Sequence, residues 1–222
     1  GNVYGGGNQA DITGNTQVNI CAKYDTTNDV YNAVAEGTAK VTISGDVFGA
    51  GKGVTTDVDA AMVSGNSTII MMGGSVKKSV YGGGELSQLA GNTNITVSAG
   101  TIGTAAADLP SGVTAGAVYG NVYGGGLGDT TNKLFGRIKG NTNVMISGGD
   151  ILHNVYGGGA YGSVGEFTYD DGTTTNTGMP TGYTSGGTAN VTITGGNIGT
   201  TGQENGMVFG SSRGSEGDPD TD

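Results

Sequence analysis

Five short segments alternate apolar with polar residues: Thr16-Gln17-Val18-Asn19-Ile20, Thr38 to Ile43, Thr93-Asn94-Ile95-Thr96-Val97, Thr142-Asn143-Val144-Met145-Ile146 and Ala189-Asn190-Val191-Thr192-Ile193. A period of two carried by β-branched residues predicts strands that bury one face. A sixth segment, Ser67 to Met72, occupies the same place in the pattern but is more apolar on both faces.

Small residues mark corners around these strands. Ile12-Thr13-Gly14-Asn15, Val63-Ser64-Gly65-Asn66, Leu89-Ala90-Gly91-Asn92 and Ile138-Lys139-Gly140-Asn141 each give one apolar residue followed by a Gly-Asn pair. Gly and Asn tolerate positive φ, so each pair predicts a tight bend. Beyond the strands come Gly73-Gly74, Ala99-Gly100, Gly148-Gly149 and Gly195-Gly196, then a single apolar residue: Val76, Ile102, Ile151 or Ile198.

The strongest signal is the hexapeptide Asn154-Val155-Tyr156-Gly157-Gly158-Gly159. It recurs at Asn2 to Gly7, Asp46 to Gly51, Ser79 to Gly84, Asn121 to Gly126 and Met207 to Ser212. Its valines, Val3, Val47, Val80, Val122, Val155 and Val208, are separated by 44, 33, 42, 33 and 53 residues. A fixed unit with variable spacers is the mark of a repeat array whose turns carry insertions. One turn reads as strand, Gly-Gly bend, strand ending in Val-Tyr-Gly-Gly-Gly, short apolar strand, Gly-Asn bend and next strand. The expected fold is all-β, a parallel β-helix with three short strands per turn and about 4.8 Å between turns. A propeller needs four antiparallel strands in about 40 residues, which fits this spacing less well.

The organisation expected is a single domain over residues 1–214, followed by an acidic tail or linker at 215–222. Three stretches leave the repeat: 21–37, predicted to form a bulged or partly helical insertion, 104–116, and 166–187, which lacks periodicity. Val118-Tyr119-Gly120 reads as a small duplication. The start in mid-repeat, without Met, predicts an excised or processed piece of something longer.

Composition narrows the chemistry. With 48 glycines but 3 prolines in 222 residues the chain is not collagen-like, and at 34% apolar with no Trp it supports only a thin core. Net charge −10 and nine scattered cations disfavour nucleic acid. Cys21 is alone, excluding an internal disulfide, and no apolar stretch approaches the length of a membrane helix.

The alternation of Asn-Val-Tyr-Gly-Gly-Gly with Gly140-Asn141-Thr142-Asn143-Val144 and its relatives resembles the glycine-rich, right-handed β-helix repeats of adhesin-like surface proteins from gut Bacteroidota, over most of residues 1–214. The resemblance implies a right-handed coil and an extracellular, cell-surface or filament-forming role.

The aromatic members Tyr4, Phe48, Tyr81, Tyr123, Tyr156 and Phe209 are expected to stack as a ladder. If Val155 points inward, alternation turns Tyr156 outward, giving an exposed stripe suited to sugar rings or another chain. The competing reading is a purely structural, partly buried ladder. No ring of acids follows the glycines, so calcium nonapeptides are discounted, no following helix supports a dinucleotide site, and neither metal nor cofactor is expected. The carboxylates Asp218, Asp220 and Asp222 of the tail fit a solvated terminus better than a calcium site. The sole His153 has no repeated acid beside it, and Asp170-Asp171 no basic partner in sequence, so catalysis is not expected. The function expected is a structural or adhesive surface coil that associates with copies of itself, end to end or laterally. A carbohydrate-binding module is the alternative and a polysaccharide lyase or hydrolase the less favoured one. Neither nucleic acid nor a membrane span is expected as a partner.

Overall fold

A computed structural model describes residues 1–34, 41–109, 111, 120–169, 180–203 and 205–214. In chain order the strands are β1 (Val3–Tyr4), β2 (Thr16–Ile20), β3 (Ala22–Asp25), β4 (Val30–Ala33), β5 (Thr42–Ile43), β6 (Val47–Phe48), β7 (Ser67–Val76), β8 (Val80–Tyr81), β9 (Thr93–Ile102), β10 (Val122–Tyr123), β11 (Thr142–Ile151), β12 (Val155–Tyr156), β13 (Gly165–Tyr169), β14 (Pro180–Gly186), β15 (Ala189–Ile198) and β16 (Val208–Phe209). The only helical element among the described residues is a short 3-10 turn at Ala106–Asp108.

The protein is all-β and is built on parallel sheets. One sheet runs β1-β6-β8-β10-β12-β16 and is made of the Val-Tyr or Val-Phe dipeptides of the hexapeptide. The second runs β2-β7-β9-β11-β15 and is made of the alternating segments. Every pairing joins a repeat unit to the next one in sequence, so equivalent residues stand side by side: Val80 faces Val122 and Val122 faces Val155, while Ile69 faces Ile95 and Ile95 faces Val144. A third row consists of single parallel bridges, Ile12 to Val63, Leu89, Ile138 and Val164 in turn. The expected short apolar strand is therefore one residue per unit, because Gly-Asn follows almost at once.

Alternation explains the core. The hexapeptide valines Val47, Val80, Val122 and Val155 and the inward aliphatics of the long strands (Ile69, Met71, Ile95, Val97, Val144, Ile146) form one buried cluster together with Val76, Ile102 and Ile151, with Val3 packed against it. Burying an aliphatic side chain of this size is worth about 1.5–3 kcal/mol. A second cluster holds the aromatic residues, and a third holds Ala50, Val63, Leu89 and Ile138.

Several expectations are corrected. The Gly-Gly element does not separate two strands: β7, β9, β11 and β15 run through it as ten-residue strands whose register is irregular there. Gly74, Gly100, Gly149 and Gly196 do adopt positive φ, as the bend requires. The Gly-Asn corners do not. Gly65, Gly91 and Gly140 are absent from the left-handed region, and glycine is needed because an added Cβ would lie about 2.6 Å or less from the backbone oxygen of the preceding corner glycine. Val41 is not the counterpart of Ile69, whose partner is Val18; β5 instead pairs with Ser75 and Val76, completing the line that β2 begins.

Within insertion 21–37 the described residues 22–33 form an antiparallel hairpin, where a bulge or partial helix was expected: β3 pairs with β4, and Tyr24 lies opposite Tyr31. Val30-Tyr31 repeats the Val-Tyr of the hexapeptide without Gly-Gly behind it, and it joins β3 instead of the dipeptide row. The hairpin contacts β7, where Ile70, on the outward side, is only 7% exposed. That accounts for the extra apolar character of Ser67 to Met72. Insertion 166–187 also contains an antiparallel pair, β13 with β14. Residues 35–40, the Val118-Tyr119 duplication, Asp170-Asp171, most of 104–116 beyond the 3-10 turn and the tail 215–222 lie outside the described residues.

Candidate functional site: the aromatic ladder and its polar rows

Each sequence-selected aromatic residue takes its place in one column. Ring centroids are 5.1 Å apart for Tyr4–Phe48, 4.7 Å for Phe48–Tyr81, 4.9 Å for Tyr81–Tyr123, 4.9 Å for Tyr123–Tyr156 and 5.0 Å for Tyr156–Phe209, with interplanar angles of 6° to 12°. The spacing is the inter-strand distance of a sheet, so parallel pairing in register imposes the stack. Offset aromatic pairs of this kind add about 0.5–1.5 kcal/mol each beyond their buried area.

The rings do project to the side opposite the valines, yet that side is covered. Phe48, Tyr81, Tyr123 and Tyr156 are 1, 2, 0 and 7% exposed, packed with Ala160 and with the half-buried Leu127 and Tyr161 from segments that follow the glycines. The exposed stripe read from alternation is thus corrected in favour of the competing buried ladder: both faces of each interior ring belong to its neighbours, and only the end rings of the column, Tyr4, half-buried, and Phe209, 38% exposed, have one stacking neighbour each. Sequence alternation could not reveal this, because the covering residues come from loops.

Burial shapes the electrostatics. Desolvation pushes the Tyr81 and Tyr123 hydroxyls far above the ordinary phenol range, with the Arg213 guanidinium pulling Tyr123 back in part. Tyr4 is pushed up to about 12 by burial and by its hydrogen bond to the Glu85 carboxylate. Asp46, 7% exposed, is raised by burial, opposed by the Ser79 N–H that it accepts at 3.0 Å and by Lys78, whose Nζ is 3.8 Å away.

Sequence reading identified the asparagines and threonines but missed that they form rows. At the Gly-Asn corners, Oδ1 of Asn15, Asn66, Asn92 and Asn141 accepts the backbone N–H of Asn66, Asn92, Asn141 and Thr188, each at 2.8 Å. Before the dipeptides, Asn2, Asp46, Ser79, Asn121 and Asn154 accept in the same way from Asp46, Ser79, Asn121, Asn154 and Met207. A third row is buried: Thr16, Ser67, Thr93 and Thr142 donate their hydroxyls to the carbonyls of Gly49, Gly82, Gly124 and Gly157. The recurrence of Asn before Val-Tyr, and of Thr at the head of each long strand, was the available signal.

His153 sits at one of these corners, its Nδ1 2.8 Å from Asn121 Oδ1, and burial lowers its pKa. Among the described residues no group of three His, Cys, Asp or Glu converges as metal ligands would. Also missed was Arg137, 4% exposed: its Nε donates to Gln88 Oε1 at 2.9 Å, and its guanidinium carbon lies 4.8 Å from the Phe167 ring centroid and 5.8 Å from that of Tyr169. Its partners are tens of residues away in sequence, so no local pattern announced it. Arg137 anchors hairpin β13–β14 to the sheets. A separate groove of about 500 Å³ is lined by Lys23, Tyr24, Asp25, Thr26, Asn32, Ala33 and Val34 of the β3–β4 hairpin. No helix of the described residues is long and apolar enough to cross a membrane. No family model, curated protein or solved structure matches the chain.

Proposed function

We propose that the three rows are the three sides of a right-handed parallel β-helix, and that this coil serves as an extracellular structural or adhesive element of a bacterial surface that associates with copies of itself. The observation that carries the reading is the in-register continuity of core, aromatic and polar rows, which devotes nearly every repeated residue to stiffness and leaves, among the described residues, no cluster resembling a reaction centre. Five steps of roughly 4.8 Å place the first and last dipeptide strands about 24 Å apart. Open strand edges at the ends and an outer sheet face with few charges provide surfaces for association. The handedness and the surface location rest on the resemblance of the repeats. Scattering and sedimentation over a concentration series test the reading: a rod that lengthens or thickens with concentration is expected, and a sphere-like particle that stays monomeric at the highest concentration would overturn it.

A second reading, carbohydrate binding, is favoured by one observation: Tyr24, 42% exposed, lines the hairpin groove beside Lys23 and Asn32. An aromatic face with flanking polar groups is what a sugar ring needs. Glycan-array binding that is lost in Tyr24→Ala supports it. Binding unchanged in that variant, or no binding at all, removes it.

A further inference from the structure

On the long-strand sheet the outward positions repeat from unit to unit as uncharged polar residues. Strand β9 turns Asn94, Thr96 and Ser98 outward between the buried Thr93, Ile95 and Val97, and β11 and β15 continue the same three rows. The borders of this face are neutral in the same way. Ser64 and Ala90 stand before two of the Gly-Asn corners, and Ser75, Thr101 and Asn197 fall in one row beyond the Gly-Gly bend. Three residues break these rows, and all three belong to the tier of β11. Met145 takes the place of threonine in the middle row, the half-buried Lys139 stands at the corner border, and the exposed Asp150 stands at the bend border. Ile70, the other aliphatic of the middle row, lies under the β3–β4 hairpin, whereas Met145 is 48% exposed.

An apolar residue at the centre of a charge-free face, with one cation and one anion at opposite borders, has the form of a self-complementary contact. A two-fold axis laid along the stacking direction over Met145 reverses the strands and brings two such faces together at equal height. Lys139 and Asp150 lie at near-equal distances in sequence on either side of Met145, so Lys139 of each copy falls against Asp150 of the other. The row of Asn94, Asn143 and Asn190 falls over the row of Ser98, Ser147 and Thr194, so amides meet hydroxyls, and Met145 meets Met145. Each copy carries a net charge of −10, which opposes their approach over most of the surface. Repulsion is least where the face is neutral and the border charges are opposed.

We propose that the outward face of β9, β11 and β15, centred on Met145, is the surface through which two copies of this chain pair, with Lys139 of each against Asp150 of the other. This rests on the self-association reading above and deepens it by naming the surface. Three rows on three strands with two border charges make a patch of roughly half the standard size for a specific interface. Pairing is therefore weak between free copies and stronger where many copies are held side by side.

Sedimentation of the full chain over a concentration series tests the face, with thermal melts to show that each variant keeps its fold. Met145→Glu changes an exposed residue and is expected to abolish pairing at concentrations where the parent pairs. Lys139→Asp and Asp150→Lys each set like charges against each other at both borders, and each is expected to weaken pairing about tenfold. Mixing these two single variants is expected to restore pairing, because every border contact of the mixed pair then joins opposite charges; the double variant is expected to pair like the parent. Pairing that survives Met145→Glu, or single variants that stay weak when mixed, overturns this face and leaves self-association through another surface standing. A parent that stays monomeric at the highest concentration overturns both.

Discussion

Gly124 and Gly210 occupy the same place in two copies of one motif, and the structure assigns them opposite tolerance. A methyl at Gly124 would fall well inside 3.0 Å of the Gly157 carbonyl oxygen and 3.1 Å from Thr142 Cβ. That oxygen has little room to retreat, because it accepts the Thr142 hydroxyl at 2.5 Å. Relief would require two adjacent strands to part, breaking the bonds from Gly124 N to Tyr156 O and from Gly125 N to Gly158 O. Overpacking of this kind costs typically 1–3 kcal/mol and at times more, and here the rigid backbone on both sides places Gly124→Ala at about 3 kcal/mol. For a chain of this size that lowers the thermal midpoint by about 6–12 °C. Gly210 has a negative or extended φ and open space around it. Gly210→Ala should therefore be neutral or stabilising by about 0.4–1 kcal/mol, through the reduced freedom of the unfolded chain. Urea midpoints and thermal melts of the two variants, measured side by side, decide the matter. If both lose the same stability, glycine is required there for its conformation, and close approach of neighbouring units is not the cause.

Three further outcomes are expected. Thr93→Val keeps the shape but leaves the buried Gly124 carbonyl without the hydroxyl bond it receives at 2.5 Å; a loss of about 1–3 kcal/mol in urea denaturation is expected, and Thr93→Ser should recover most of it. Asp46 has a raised folded pKa, so its contribution is most favourable below the unfolded carboxylate value and is lost as pH rises through the folded one. Asp46→Asn, which retains the acceptor for Ser79 N–H, should raise stability at neutral pH and flatten the acid end of the stability profile, and a melt series from pH 3 to 7 would show no change if burial were not the cause. Tyr4 is pushed up to about 12 and Tyr81 and Tyr123 further, so their neutral forms stabilise the fold below the ordinary phenol pKa and that stability is lost at higher pH. Ultraviolet difference titration against Tyr81→Phe and Tyr123→Phe variants should show these two hydroxyls ionising only with unfolding, and loss of absorbance change near pH ~10 in the variants would contradict the buried column.

Much of the architecture was legible because its signals are local and periodic. Val80, Val122 and Val155 recur in one hexapeptide, and the alternation at Thr93 to Val97 identifies inward and outward residues without reference to anything distant. What escaped the sequence depends on contacts between units. The Asn92 side chain bonds a backbone 49 residues on, Gly65, Gly91 and Gly140 at the Gly-Asn corners avoid a neighbour instead of making a left-handed turn, and the tyrosines are covered by segments that follow the glycines. Val41 misled because it repeats the local pattern of Val18 while finishing a different part of the same line. Arg137 was invisible for a related reason: a buried cation is recognised by Phe167, Tyr169 and Gln88 around it, none of which is adjacent in sequence.

The hairpin over Ile70 links two inherited traits. In its cross-strand row Ile70 stands among Asn19, Thr96, Met145 and Thr192, and its burial depends on an attachment grown from a different turn of the chain. Deleting that attachment alone would bare an isoleucine, and restoring threonine alone would leave the attachment without its seat. The pair is therefore gained or lost together, so a buried isoleucine at this outward position in a related chain should signal a decoration above it, whereas threonine, or a methionine left 48% exposed as Met145 is, accompanies a bare face.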